Sequence, residues 1–201
     1  MPEKEPVSLP AIGLISFEPI RETSGLVKSR LWPGVLWTHN DSGDEARIFP
    51  ISRDGAIIRP EWMKNYTGIH IPDAVNVDWE DITADDDGNL IIADVGNNSN
   101  ARRDLAVYFV PEPYPTETVV TSTMRKVHVY YPEQEKLPAK QRNFDCEGVF
   151  WANGKLYFLT KHRSDETTKL YRLDRLDPRK RVQLTLIRRL DIQGMVPGTD
   201  D

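Results

Sequence analysis

The chain has a single cysteine, Cys146, in 201 residues, so no disulfide can form within it. A chain of this length buries enough apolar surface without such a staple. The lone thiol therefore fits a reducing compartment without requiring one. No stretch reaches the roughly 20 consecutive apolar residues of a membrane-spanning helix. The opening Met1-Pro-Glu-Lys-Glu-Pro has no apolar core of a secretory signal. As written the sequence reads as cytoplasmic; trimmed at its N-terminus, it would read as periplasmic or secreted. Basic charge is also scarce. The net charge is −5, and nothing forms the cationic stripe that neutralises phosphates, so no nucleic-acid partner is expected. The short run Arg179-Lys-Arg181 reads as a solvated turn.

Several catalytic signatures are missing as well. No Gly-x-Ser-x-Gly elbow and no phosphate-cradling glycine loop occurs. His39, His70, His128 and His162 lack zinc-ligand spacing. Asp85-Asp-Asp-Gly88 has the wrong first residue for a calcium-binding helix–loop–helix, namely Thr83, and reads as a hairpin turn. Cys146 falls between inward residues of a strand and is expected to pack against a neighbouring sheet.

Helical periodicity is nearly absent. Short runs of Val, Ile, Leu, Tyr and Phe recur instead, divided by Gly, Asn, Asp and Pro. Three stretches share one plan of strand, turn, strand, loop, strand. The first has Glu22-Thr-Ser-Gly-Leu-Val, Gly34-Val-Leu-Trp-Thr-His-Asn and Arg47-Ile-Phe-Pro-Ile. The second has Asp78-Trp-Glu-Asp-Ile-Thr, Gly88-Asn-Leu-Ile-Ile-Ala-Asp and Ala106-Val-Tyr-Phe-Val. The third has Asp145-Cys-Glu-Gly-Val-Phe, Gly154-Lys-Leu-Tyr-Phe-Leu-Thr and Lys169-Leu-Tyr-Arg-Leu. A fourth strand is expected at Ala56-Ile-Ile-Arg, at Lys126-Val-His-Val-Tyr-Tyr and at Val182-Gln-Leu-Thr-Leu-Ile.

Asp54-Gly55, Asp87-Gly88 and Asn153-Gly154 supply turns. Internal repeats of short strands point to an all-β fold, a β-propeller with three four-stranded antiparallel blades. The blades span residues 21–64, 76–133 and 143–190. Residues 1–20 include a closing strand at Leu9-Pro-Ala-Ile-Gly-Leu-Ile-Ser-Phe, and 191–201 form a tail entering a further blade. Three blades are too few for a closed ring of four to eight. The chain is therefore expected to be part of a larger ring, or to complete one as a homodimer.

In that fold each blade's first strand lines a central channel. The registers place Glu22, Asp78 and Asp145 at one position and Ser24, Glu80 and Glu147 two residues on, on the same strand face. Crowded carboxylates repel one another and resist losing water, and a divalent cation relieves both costs. Oxygen ligands favour Ca²⁺. Asn40 and Asp94, at the ends of second strands, share the channel mouth and could complete a shell or orient a ligand; turn chemistry explains them equally. The carboxylates also admit a reading as strand caps or ion-pair partners.

Ser24-Gly-Leu26, Asp78-Trp-Glu-Asp-Ile82 and Asp145-Cys-Glu-Gly-Val149 resemble first-strand motifs of bacterial propellers of the SdiA-regulated and phytase-like type. Gly88-Asn-Leu-Ile-Ile-Ala-Asp-Val-Gly-Asn-Asn98 resembles their second strand, and the resemblance covers about residues 20–175. It implies Glu80 and Glu147 as the foremost metal ligands, then Asp78 and Asp145. Ser24 departs from the acidic pattern, and the phosphate-binding Lys/Arg cluster of a phytase is not evident. Three functions remain open. One is a Ca²⁺-binding propeller that recognises a small-molecule or protein ligand at the channel mouth. Another is a Ca²⁺-dependent hydrolase of phosphoesters, esters or lactones, with Asp81 or Asp94 as base. The last is an interaction scaffold.

Overall fold

A computed structural model of the chain describes residues 9–165 and 167–191. Among them there is no helix. Thirteen strands are present: β1 (Thr23–Lys28), β2 (Val35–Asn40), β3 (Arg47–Ser52), β4 (Ile69–His70), β5 (Trp79–Ala84), β6 (Asn89–Asp94), β7 (Ala106–Pro111), β8 (Arg125–Tyr130), β9 (Asp145–Ala152), β10 (Lys155–Lys161), β11 (Thr168–Leu173), β12 (Val182–Gln183) and β13 (Thr185–Leu190). They form three sheets in the orders β1-β2-β3-β4, β12-β8-β7-β6-β5 and β13-β11-β10-β9. The all-β expectation holds. The described residues form no closed ring.

The turns follow local chemistry. Asn153 and Gly154 both take positive φ, 51° and 69°, as a two-residue hairpin between twisted strands demands. Asp85 accepts hydrogen bonds from the backbone amides of Asp87 and Asn89, which makes that acidic run the expected turn. Arg179 bonds Asp177, and Arg181 lies 5.2 Å over the Tyr130 ring.

The middle sheet is buried on both faces. Leu90, Ile92, Tyr108 and Val110 join Trp37, Ile48 and Trp79 in one apolar cluster against the first sheet. The alternate residues Ile91, Ala93, Val107 and Phe109 join Phe158, Tyr171 and Cys146 in a second cluster against the third sheet. This two-sided burial is why β6 reads as a continuous apolar run, whereas β10 alternates. Cys146 packs as expected.

Three expectations about chain course are corrected. Residues 9–17 form no strand; the Leu14 amide donates to the Asp54 carbonyl at 3.2 Å, and Phe17 packs against Phe49 and Tyr66. Residues 1–8 and the tail from 192 lie outside the described residues. The first sheet's fourth strand is β4, not 56–59. Ile57 makes a lone bridge to Ile51, and Pro60, which has no amide to donate, follows at once. The run from Val182 divides. β12 pairs in parallel with β8 of the middle sheet, and only β13 returns to β11.

The innermost strands β1, β5 and β9 adjoin in series. The Ser24 hydroxyl donates to the Glu80 carbonyl at 2.7 Å. The Val149 amide donates to the Asp81 carboxylate at 2.7 Å. Gly25 permits the first contact: a Cβ there would lie 2.7 Å from the Ile82 amide nitrogen and 2.8 Å from the Asp81 Cα. Gly25→Ala must push two backbones apart, so we expect a loss of about 1–3 kcal/mol, read as a lower urea midpoint. An unchanged midpoint would show that β1 and β5 do not meet there.

Candidate metal centre

The pairing of each innermost strand slips at the same place. The extra residues are Ser24–Gly25 in β1, Glu80 in β5 and Glu147 in β9. A bulge bends its strand and re-aims a side chain. Here Glu80 lies with Asp78, which precedes β5, and Glu147 with Asp145, the first residue of β9. The carboxylates of Asp41, Asp78 and Glu80 come within 4.8 Å of one another, as do those of Glu80, Asp145 and Glu147. Glu80 belongs to both groups.

Four of the expected ligands, Glu80, Glu147, Asp78 and Asp145, are thus brought together. Glu22 and Asn40 are not. Glu22 is exposed at the head of β1, and its amide donates to the Asn40 side chain. Asn40 spends the rest of its amide on the Pro19 carbonyl and Asp44. Asp41, one residue further along, takes the position expected of Glu22. The sequence places Asp41 in the second-strand end His39-Asn40-Asp41, whose Asn and Asp could complete a calcium shell, but favours Asn40 there. The signal available was its place directly after β2, next to Asn40, the counterpart of Asp94 in the strand register. The base candidates are both engaged. Asp81 accepts from the Ile82 and Val149 amides. Asp94 accepts from the Asp78 amide and pairs with Arg102 at 2.9 Å.

The two groups differ in their counter-charges. Asp145 accepts from the Asn97 amide at 2.6 Å and from Arg163 at 2.8 Å. Glu147 lies 3.3 Å from the Lys161 ammonium. That side is largely neutralised. On the other side the Asp41 carboxylate accepts only from the neighbouring Ser42 amide, and neither Asp78 nor Glu80 has a side-chain hydrogen bond or ion pair, among the described residues. Glu80 is only 7% exposed. Its carboxyl is pushed up to about 8, first by burial and then by the charges of Glu147 and Asp78. Asp78 rises too, through burial and the Asp41 charge. Gly96 leaves room for this pair, because a Cβ there would collide with both carboxylates. The Gly96 amide donates to the Asp78 carbonyl at 3.1 Å. The nearby His39 ring is fully buried edge-on to Trp79 at 5.6 Å. Burial lowers its pKa and keeps it neutral.

Comparison with protein-family models, curated proteins and solved structures finds no match.

The direction of the Glu80 shift fixes a pH dependence. Between about 4.5 and about 8 the folded protein holds a proton that the unfolded chain has released. The stability from that proton is complete below the lower value and is lost as pH rises through the upper one. In EDTA, the Tm is expected to be lower at about pH 8.5 than at about pH 6, and Glu80→Gln to flatten that slope. Equal slopes in the two proteins would show that Glu80 is not the group responsible.

Proposed function

We propose that the chain is a metal-binding module of propeller type, with a divalent cation held by Asp41, Asp78 and Glu80 at the head of its innermost strands. The observation that carries this is Glu80. It is a carboxylate nine-tenths buried, shared by two groups of acids, with no cation or hydrogen-bond donor paired to it among the described residues. Nothing but a proton or a metal ion relieves such a group. The donors are all carboxylate oxygens, the set that hard cations take, and the absence of imidazole and thiolate ligands favours Ca²⁺ over softer metals.

Three carboxylates leave a calcium ion, which takes 6–8 oxygens, with open positions. Water or an oxygen of a bound molecule would fill them. That favours recognition of a small polar or protein ligand at the strand heads. Hydrolysis is less well supported, because Asp81 and Asp94 both spend their oxygens on backbone amides and Arg102. The serial contact of three innermost strands and the resemblance to phytase-like propellers support the propeller reading.

Calorimetric titration of EDTA-treated protein with CaCl₂ tests the site. One binding event and a raised Tm are expected, since a ligand at about 100 times its Kd adds about 2.7 kcal/mol. Asp41→Asn and Glu80→Gln should each weaken binding at least about tenfold. Glu147→Gln removes the charge that most opposes ionisation of Glu80, so it should not weaken binding. No heat and no shift in Tm would overturn the proposal. Loss in Glu147→Gln but not in Asp41→Asn would move the ion to the other carboxylate group.

A further inference from the structure

One buried cation of the third sheet is short of partners. Lys169 stands near the start of β11 and is only 5% exposed. The Thr160 hydroxyl of β10 accepts from the Lys169 amide at 3.2 Å and donates to its carbonyl at 3.4 Å, which fixes the backbone there. The ammonium meets one carboxylate oxygen, that of Glu133, at 3.5 Å. It also lies 5.5 Å from the centre of the Phe144 ring. Among the described residues its side chain donates no hydrogen bond, although an ammonium carries three donors and leaving them unmet on burial is costly. Glu133 is itself divided, because its other oxygen accepts from the Tyr171 hydroxyl at 3.1 Å.

Lys169 lines a cleft of about 260 Å³ between residues 133–144 and strands β11 and β13. The loop side of the cleft is anchored. The Asn100 carbonyl accepts from the Ala139 amide and from the Gln134 side chain, both at 2.9 Å. Arg189 of β13 is the direct partner of Lys169 in the strand register, so the two side chains leave the same face of the sheet. Lys136 and Lys140 line the cleft too, and neither forms an ion pair among the described residues. Four cations therefore share the cleft with two carboxylates, Glu133 and Glu135, on a chain whose net charge is −5. None of these residues belongs to the acidic cluster.

We infer that this cleft binds a small dianion, a phosphate ester or a dicarboxylate. The excess of positive charge selects an anion. A lysine ammonium is a point charge and an arginine a planar fork, and both take phosphate and carboxylate oxygens. The space falls below the roughly 300–1,000 Å³ of sites for drug-sized ligands, so the ligand is a small one. Its oxygens supply the buried ammonium with the acceptors that Glu133 alone does not, and the Phe144 ring gives its carbon atoms an apolar wall. The inference rests neither on the metal nor on the propeller reading.

Calorimetric titration of the whole chain in EDTA, at about pH 7.5 and about 0.15 M NaCl, with inorganic phosphate and separately with malonate, tests it. One saturable site with a Kd at or below about 1 mM is expected for at least one of the two. Tighter phosphate identifies the ester as the ligand class, and tighter malonate the dicarboxylate. Lys169→Met combined with Glu133→Gln removes both charges of the pair and should abolish binding. Lys136→Gln combined with Lys140→Gln changes only exposed side chains, so it should keep the Tm and weaken binding at least about tenfold; this variant decides even where the first does not fold. No saturable heat with either anion, or binding unchanged in the Lys136 and Lys140 variant, would overturn the inference. Because the titrations contain EDTA, either result leaves the metal proposal untouched.

Discussion

A serine hydroxyl and an aspartate carboxylate hold three sheets together at their innermost strands. Ser24 reaches from β1 to the Glu80 carbonyl, and the Val149 amide reaches from β9 to Asp81. Both contacts are side chain to backbone, so they fix the strands at a separation that apolar packing alone would leave loose. Gly25 then lets the β1 backbone lie directly on β5. The carboxylate cluster follows from this approach. Spread β1 from β5 by the width of a methyl group and Asp41 no longer faces Asp78. Spread β5 from β9 and Glu80 is relieved of Glu147.

Local charge is managed unequally around that centre. Arg102 holds Asp94, and Arg163 and Lys161 hold Asp145 and Glu147. The guanidinium groups approach from the loops that follow β6 and β10, so each second strand brings the counter-ion for the acids beside it. The second strand of the first sheet brings none. β2 runs into Asp41, and Arg47, the next cation along the chain at the start of β3, is committed to Asp44. The uncompensated side of the cluster is thus the side nearest the first sheet. A carboxylate in low dielectric without a partner holds a proton or a metal, and Glu80 is the group placed to do so.

Much of the architecture was legible because strand chemistry is local. The hairpin at Asn153-Gly154 and the alternation of β10 announce themselves in sequence. The alignment of Leu26, Ile82 and Val149 picks out the strands that adjoin, β1, β5 and β9, and four of the six acids and amides singled out in the sequence cluster there. What failed was long-range. Ala56–Arg59 has strand-forming residues, but whether it or Ile69-His70 pairs with β3 depends on Pro60 and on an edge supplied by residues 119–121. β12 looks continuous with β13, yet its hydrogen bonds go to a different sheet. Asp41 was missed and Glu22 favoured for a related reason. The slip of one residue at each bulge shifts which side chain faces the neighbouring first strand, and a bulge leaves no mark in a sequence of one chain.

Ser24 shows how three equivalent positions part in chemistry. Glu147 spends its charge on Lys161. Glu80 has no cation paired with it among the described residues, and its carboxyl is pushed up to about 8. A third carboxylate at position 24 would set an acceptor against the Glu80 carbonyl, two lone pairs with no proton between them, and β1 would have to withdraw. A hydroxyl both donates to that carbonyl and adds no charge. The departure of Ser24 from the acidic pattern is therefore what allows the β1–β5 contact. That contact in turn brings Asp41 alongside Glu80, so the missing acid at position 24 is returned to the cluster from the end of β2.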